Sequence, residues 1–115
     1  GEIFVPKIPS YKITDIADAI SPNCKKELLG IRPGEKIHEE MITKSDALNT
    51  IDLGSHYAIL PSYSKVLEEY SHSGIKFNKV SEDFSYNSAE NEHFLTIQEI
   101  RNLIKINIDN NFEPI

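Results

Sequence analysis

The hydrophobic period of this chain switches within its first twenty residues, and that switch most limits the folds open to it. Glu2 to Val5 reads as a short strand stopped by Pro6, and Pro6 and Pro9 hold an extended connector. From Ile13 the spacing becomes helical, with Ile13, Ile16, Ala17 and Ile20 on one face and Asp15 in the first turn, where a negative charge suits the helix dipole. Ser21-Pro22-Asn23 ends that helix. Glu27 to Ile31 reads as a second strand, Arg32-Pro33-Gly34 as a turn, and Glu35 to Ile42 as a helical element with Ile37 and Met41 on one face. Short strands and helices thus follow one another closely.

Ala47 to Leu53 and His56 to Leu60 read as short strands around Gly54-Ser55, followed by helical spacing at Tyr63, Val66, Leu67 and Tyr70. Residues 71–91 are rich in Ser, Asn, Glu and Lys and are expected to form a surface excursion. Thr96-Ile97-Gln98-Glu99 is a capping box: the threonine hydroxyl accepts from the Glu99 N–H while the Glu99 carboxylate reaches back to the Thr96 N–H. Ile97, Ile100, Leu103 and Ile104 then form one apolar stripe.

With 115 residues the chain suits a single domain with a modest core. Eighteen acidic against twelve basic residues give a net charge of −6 with no basic block, which argues against general nucleic-acid binding, since phosphate neutralisation needs clustered Lys and Arg. No apolar run approaches the ~18 residues needed to span a membrane. The single cysteine, Cys24, excludes an internal disulfide framework and a Cys-rich zinc module, and reads as a buried, inert thiol. The opening Gly1-Glu2-Ile3-Phe4-Val5-Pro6 has no initiator methionine and no signal-peptide core; a β-type run starts at once, as in a chain entered mid-structure.

Most catalytic signatures are missing. Gly30 and Gly34 make no GxGxxG fingerprint, Gly34-Glu35-Lys36 completes no Walker loop, and no tyrosine is followed four residues later by lysine. His38-Glu39-Glu40 is followed at position 42 by Ile rather than the second histidine of a zincin. His38, His56, His72 and His93 lack metal-ligand spacing and read as surface or packing residues, so no metal is expected. The pairs Glu39-Glu40 and Glu68-Glu69 read as solvated faces.

One constellation carries a mechanism. Arg32 is one of two arginines, the other being Arg101, and it stands where a strand is expected to end. In α/β proteins ligands bind beyond the carboxyl ends of strands. A guanidinium there can hold a diphosphate through two parallel hydrogen bonds, which lysine cannot copy. Glu35, three residues on, can accept hydrogen bonds from both hydroxyls of a ribose. A surface turn closed by an Arg–Glu ion pair, worth about 0.5 kcal/mol, accounts for the same spacing without any ligand.

Gly1-Glu2-Ile3-Phe4-Val5-Pro6-Lys7-Ile8-Pro9-Ser10, Lys12-Ile13-Thr14-Asp15 and Gly30-Ile31-Arg32-Pro33-Gly34-Glu35-Lys36 with His38-Glu39-Glu40 resemble the inverting UDP-N-acetylglucosamine 4,6-dehydratases of pseudaminic acid biosynthesis. Phe84-Ser85-Tyr86-Asn87-Ser88, Phe94-Leu95-Thr96 and Asn111-Phe112 resemble the C-terminal end of that family, with no diagnostic motif from about Asn49 to Asp83. The resemblance implies an α/β fold: the C-terminal substrate-binding lobe of a Rossmann-type extended short-chain dehydrogenase/reductase, with the Rossmann core mostly absent. Residues 1–115 would then be a nucleotide-sugar-binding region of a longer, cytoplasmic, homo-oligomeric lyase, inactive on its own. The NADP-binding Rossmann domain and the Tyr-x-x-x-Lys pair would lie outside this chain, which itself holds no cofactor and no catalytic residue. In the family a hydride leaves C4 of the sugar, water is eliminated across C5 and C6, and the hydride returns to C6 with inversion at C5; the product feeds glycosylation of flagellin or other surface polymers. By resemblance Arg32 holds the UDP diphosphate and Glu35 the uridine ribose. Two alternatives are a related 4,6-dehydratase/5-epimerase of capsule or O-antigen synthesis and a non-catalytic, stand-alone binding module.

Overall fold

The computed structural model describes residues 1–61 and 64–115. The chain forms two compact units, one of residues 1–8 and 39–87, the other of residues 9–38 and 88–115.

The first unit is built on an antiparallel four-stranded sheet in the order β1 (Ile3–Pro6), β4 (His56–Ile59), β3 (Thr50–Asp52), β5 (Asn78–Lys79). Pro6 is tolerated inside β1 because β1 is an edge strand, where a missing N–H leaves no second neighbour unpaired. The β3–β4 hairpin turns at Gly54, whose φ of 91° is open to glycine without a Cβ penalty, and Asp52 Oδ1 accepts from the Gly54 N–H at 2.7 Å.

Successive side chains of a strand point to opposite faces, and here both faces are covered. Val5, Tyr57 and Ile59 pack with Ile42, Phe84 and Tyr86, which come from the small second sheet of β2 (Glu40–Ile42) and β6 (Tyr86–Asn87) and the turn before it. Ile51, Ala58 and Leu60 pack on the other side with Leu53, Phe77 and the Val66, Leu67 and Tyr70 face of α3 (Ser64–His72). Burial on both faces explains why His56 to Leu60 reads as a nearly continuous apolar run. Residues 71–91 hold the end of α3, β5 and β6, and contribute Phe77, Phe84 and Tyr86 to these clusters. The Tyr86 hydroxyl accepts from the Ile8 N–H and donates to the Ile8 carbonyl, both at 2.8 Å. Of the residues with helical spacing near α3, Tyr63 lies outside the described residues.

A short helix, α2 (Lys44–Ala47), begins at a second capping box, Thr43 with Asp46. Beside the sheet, Lys7 Nζ donates to both Asp52 carboxylate oxygens at 2.7 and 2.9 Å and lies 4.7 Å from the centre of the Tyr57 ring. Burial pushes the Asp52 carboxyl up, but the Lys7 hydrogen bond, the Gly54 N–H and the Lys7 charge together hold it below its ordinary value. Lys7 is raised, chiefly by its hydrogen bond to Asp52. The pair therefore stabilises the fold across a window. Its contribution is present above the unfolded Asp pKa near about 4 and is lost as pH falls through the lowered folded value. At the alkaline end it is present below about 10.4 and is lost as pH rises through the raised Lys7 value. Asp52→Asn should remove about 1 kcal/mol at neutral pH, with the difference from wild type vanishing at the acid end of a urea-unfolding series. A difference that persists unchanged at low pH would show that the pair is not its source.

The second unit packs α1 (Ile13–Ile20) against α4 (Ile97–Asn107), with Ala19 and Ile100 buried. The Thr96–Glu99 capping box starts α4 as its sequence predicts: Thr96 Oγ1 accepts from the Glu99 N–H at 3.2 Å and Glu99 Oε2 accepts from the Thr96 N–H at 2.7 Å. Ser10 bridges to Phe94, its N–H donating to the His93 carbonyl at 2.8 Å.

Three sequence expectations are corrected. Glu27 to Ile31 is not a strand: the segment is irregular, with Gly30 at a φ of 80°, no strand lies beside it among the described residues, and Leu28 and Leu29 are 97% and 89% exposed. Glu35 to Ile42 is not a helix: Ile37 faces solvent, and Glu40–Ile42 pairs as β2 with β6, which takes Ile42 to complete burial. Cys24 is exposed rather than buried, because it follows α1 in a solvent-facing turn.

Candidate functional site

The candidate site is the turn from Arg32 to Glu35. Pro33 presets φ at the second turn position and Gly34 takes the positive φ, 86°, that the third position of a type II turn requires. The Glu35 N–H donates to the Arg32 carbonyl at 3.1 Å and closes the turn. This brings the two candidate residues together. Arg32 Nε donates to Glu35 Oε1 at 2.7 Å, and the Arg32 backbone N–H donates to Glu35 Oε2 at 2.9 Å. The Arg32 side chain is 85% exposed and that of Glu35 40%. Glu27, Leu28, Leu29 and Gly30 join them around an open cleft of about 420 Å³. Sequence reasoning missed these wall residues, although their adjacency to Arg32 was the available signal.

The other arginine is engaged elsewhere. Arg101 donates from Nε to the Ala19 carbonyl at 3.0 Å and from Nη2 to the Asp18 carbonyl at 3.2 Å, at the C-terminal end of α1. Arg32 is therefore the guanidinium this chain can offer to a soluble anion. Two other clefts, about 600 Å³ beside Asp52 and Gly54 and about 410 Å³ beside α2 and β3, have no arginine in their walls.

The histidines do not converge: His38, His72 and His93 are exposed, and His56 stacks edge-on against Phe4 at 5.5 Å. Among the described residues no group of His, Cys, Asp or Glu is arranged to hold a metal ion. Glu39, Glu40, Glu68 and Glu69 are exposed. No helix among the described residues is long and apolar enough to cross a membrane.

Residues 1–61, more than half of the chain, match the sequence model of a family described as polysaccharide biosynthesis protein. The chain belongs to that family. Its relatives include the UDP-N-acetylglucosamine 4,6-dehydratase (inverting) of Campylobacter jejuni subsp. jejuni serotype O:23/36 (strain 81-176), 44% identical over 108 residues, which are 90% of this chain and 32% of the relative. The UDP-glucose 4-epimerase of Rickettsia felis is 34% identical over 115 residues, 95% of this chain and 32% of that protein. The crystal structure of Pen from Bacillus thuringiensis superposes with a TM-score of 0.66 and 26% identity over 90% of this chain and 31% of that one. This polysaccharide biosynthesis chain thus spans about a third of the length of each, and its mixed α/β fold corresponds to one lobe of a larger protein. The turn carrying Arg32 and Glu35 lies inside the matched region.

Proposed function

We propose that this chain is the substrate-binding lobe of an inverting UDP-N-acetylglucosamine 4,6-dehydratase, and that the Arg32–Glu35 turn holds the UDP moiety. One observation carries the reading: a type II turn presents an exposed guanidinium beside an open cleft, with a carboxylate three residues on. Arg32 supplies two parallel donors to the diphosphate and Glu35 accepts from the ribose hydroxyls. The named relatives support it from another direction. A dehydratase and an epimerase do different chemistry on the sugar, and what their names share is a UDP-sugar. A segment similar to both suits the part of the substrate they have in common.

On this reading the lyase chemistry and the NADP belong to other parts of the complete protein, since this chain has neither a Gly-rich dinucleotide fingerprint nor a Tyr-x-x-x-Lys pair. Its place in pseudaminic acid biosynthesis and flagellin glycosylation, its cytoplasmic location and its homo-oligomeric state are parts of the same proposal.

In the complete protein, Arg32→Ala should raise the KM for UDP-N-acetylglucosamine about ten- to hundredfold, as the loss of a charge-assisted pair of roughly 1.5–3 kcal/mol requires. An unchanged KM removes Arg32 from the site. UDP binding without any turnover of UDP-N-acetylglucosamine would favour the stand-alone binding module instead.

A further inference from the structure

We infer that Glu35 is a positioning residue for Arg32, a role that rests on the UDP-binding reading of the turn and adds to the ribose contact proposed there. A solvent-exposed arginine has many rotamers, and ordering one on binding opposes affinity. Here the ordering is already done within the turn. One Glu35 carboxylate spans two donors of the same residue, the Arg32 Nε–H through Oε1 and the Arg32 backbone N–H through Oε2. The backbone of the turn is itself closed by the Glu35 N–H on the Arg32 carbonyl and shaped by Pro33 and Gly34. The guanidinium is thus anchored at Nε to its own main chain. Its Nη1 and Nη2 groups make no hydrogen bond among the described residues, and the side chain is 85% exposed. That leaves the terminal edge of the fork, the edge that binds an anion through two parallel bonds, facing outward in a set direction. Each carboxylate oxygen keeps a lone pair, so the clamp does not exclude a ribose hydroxyl.

The sign of one substitution separates this role from simple electrostatics. A carboxylate beside an anion site repels the anion, so its removal by itself tightens binding. Loss of positioning weakens it. The probe is inorganic pyrophosphate, which has no ribose, titrated calorimetrically at low salt into the complete native protein and three variants: Arg32→Ala, Glu35→Ala and the double substitution. Glu35→Ala should weaken pyrophosphate by about three- to tenfold when Arg32 is present and, when it is absent, should tighten it slightly or leave it unchanged, because only the repulsion is then removed. Glu35→Gln, which keeps one oxygen acceptor for the Arg32 N–H, should fall between wild type and Glu35→Ala. Tighter or unchanged pyrophosphate binding in Glu35→Ala overturns the positioning role, as does a loss that persists in the Arg32→Ala background. If Arg32→Ala itself leaves pyrophosphate binding unaltered, the UDP-binding reading of the turn falls, and the positioning role with it.

Discussion

Ile42→Ala should destabilise the protein by about 2–5 kcal/mol, seen as a lower urea midpoint with an unchanged slope. Ile42 is fully buried and clusters with Tyr86 of β6 and Val5 of the four-stranded sheet, which joins the β2–β6 pair to that sheet. Truncation removes transfer free energy and leaves a cavity between two β-sheets, into which the surrounding side chains relax only partly. Ile42→Val should cost only about 0.5–1.5 kcal/mol, because a β-branched residue of nearly the same shape still fills the space. A loss below 1 kcal/mol for the alanine variant would mean that β2 is not seated as described.

Arg101→Ala should cost about 2–3 kcal/mol, a large effect for a partly exposed polar residue. The reason is a closed account of hydrogen bonds. The last four carbonyls of a helix have no partner within it. In α1 the Ala17 carbonyl accepts from the Ser21 N–H at 2.8 Å, the Ile20 carbonyl accepts from the Ile115 N–H at 2.9 Å, and among the described residues Arg101 serves Asp18 and Ala19. The last turn of α1 has no basic residue of its own, so Arg101 also supplies the cation that the negative end of the helix favours. Ala19 is fully buried with Arg101 in place, so its carbonyl depends on that side chain for its hydrogen bond. Arg101→Lys retains the charge but not the fork, and should recover only part of the loss. Equal stability of the lysine and alanine variants would show that charge at this position does nothing.

What was legible in the sequence has a common character. The Thr96–Glu99 cap, the hairpin around Gly54, the α1 span and the Arg32–Glu35 juxtaposition all depend on residues a few positions apart. Their hydrogen bonds close within one turn, so the order of residue types is enough to foresee them. The Thr43–Asp46 cap is of the same local kind, with aspartate standing where glutamate or glutamine is the usual signal.

The misreadings have the opposite character. Glu27 to Ile31 has the composition of a strand, but a strand is completed by a neighbour's hydrogen bonds, and the described residues offer none. Ile37 and Met41 have helical spacing, yet Glu40–Ile42 gains more by pairing with Tyr86–Asn87 and burying Ile42. The sequence names Arg101 only as the second arginine; its role at the end of α1 exists once α1 is packed beside α4. By itself, the sequence determined the family, the mixed α/β class and the turn that sets a guanidinium beside a carboxylate, because these rest on local chemistry and residue identity. Only the tertiary structure decided which extended segments became strands, which arginine was consumed by a helix end and which faced solvent. Those outcomes turn on pairing and burial between residues far apart in the chain, where the competing local preferences differ by less than the free energy of one buried isoleucine.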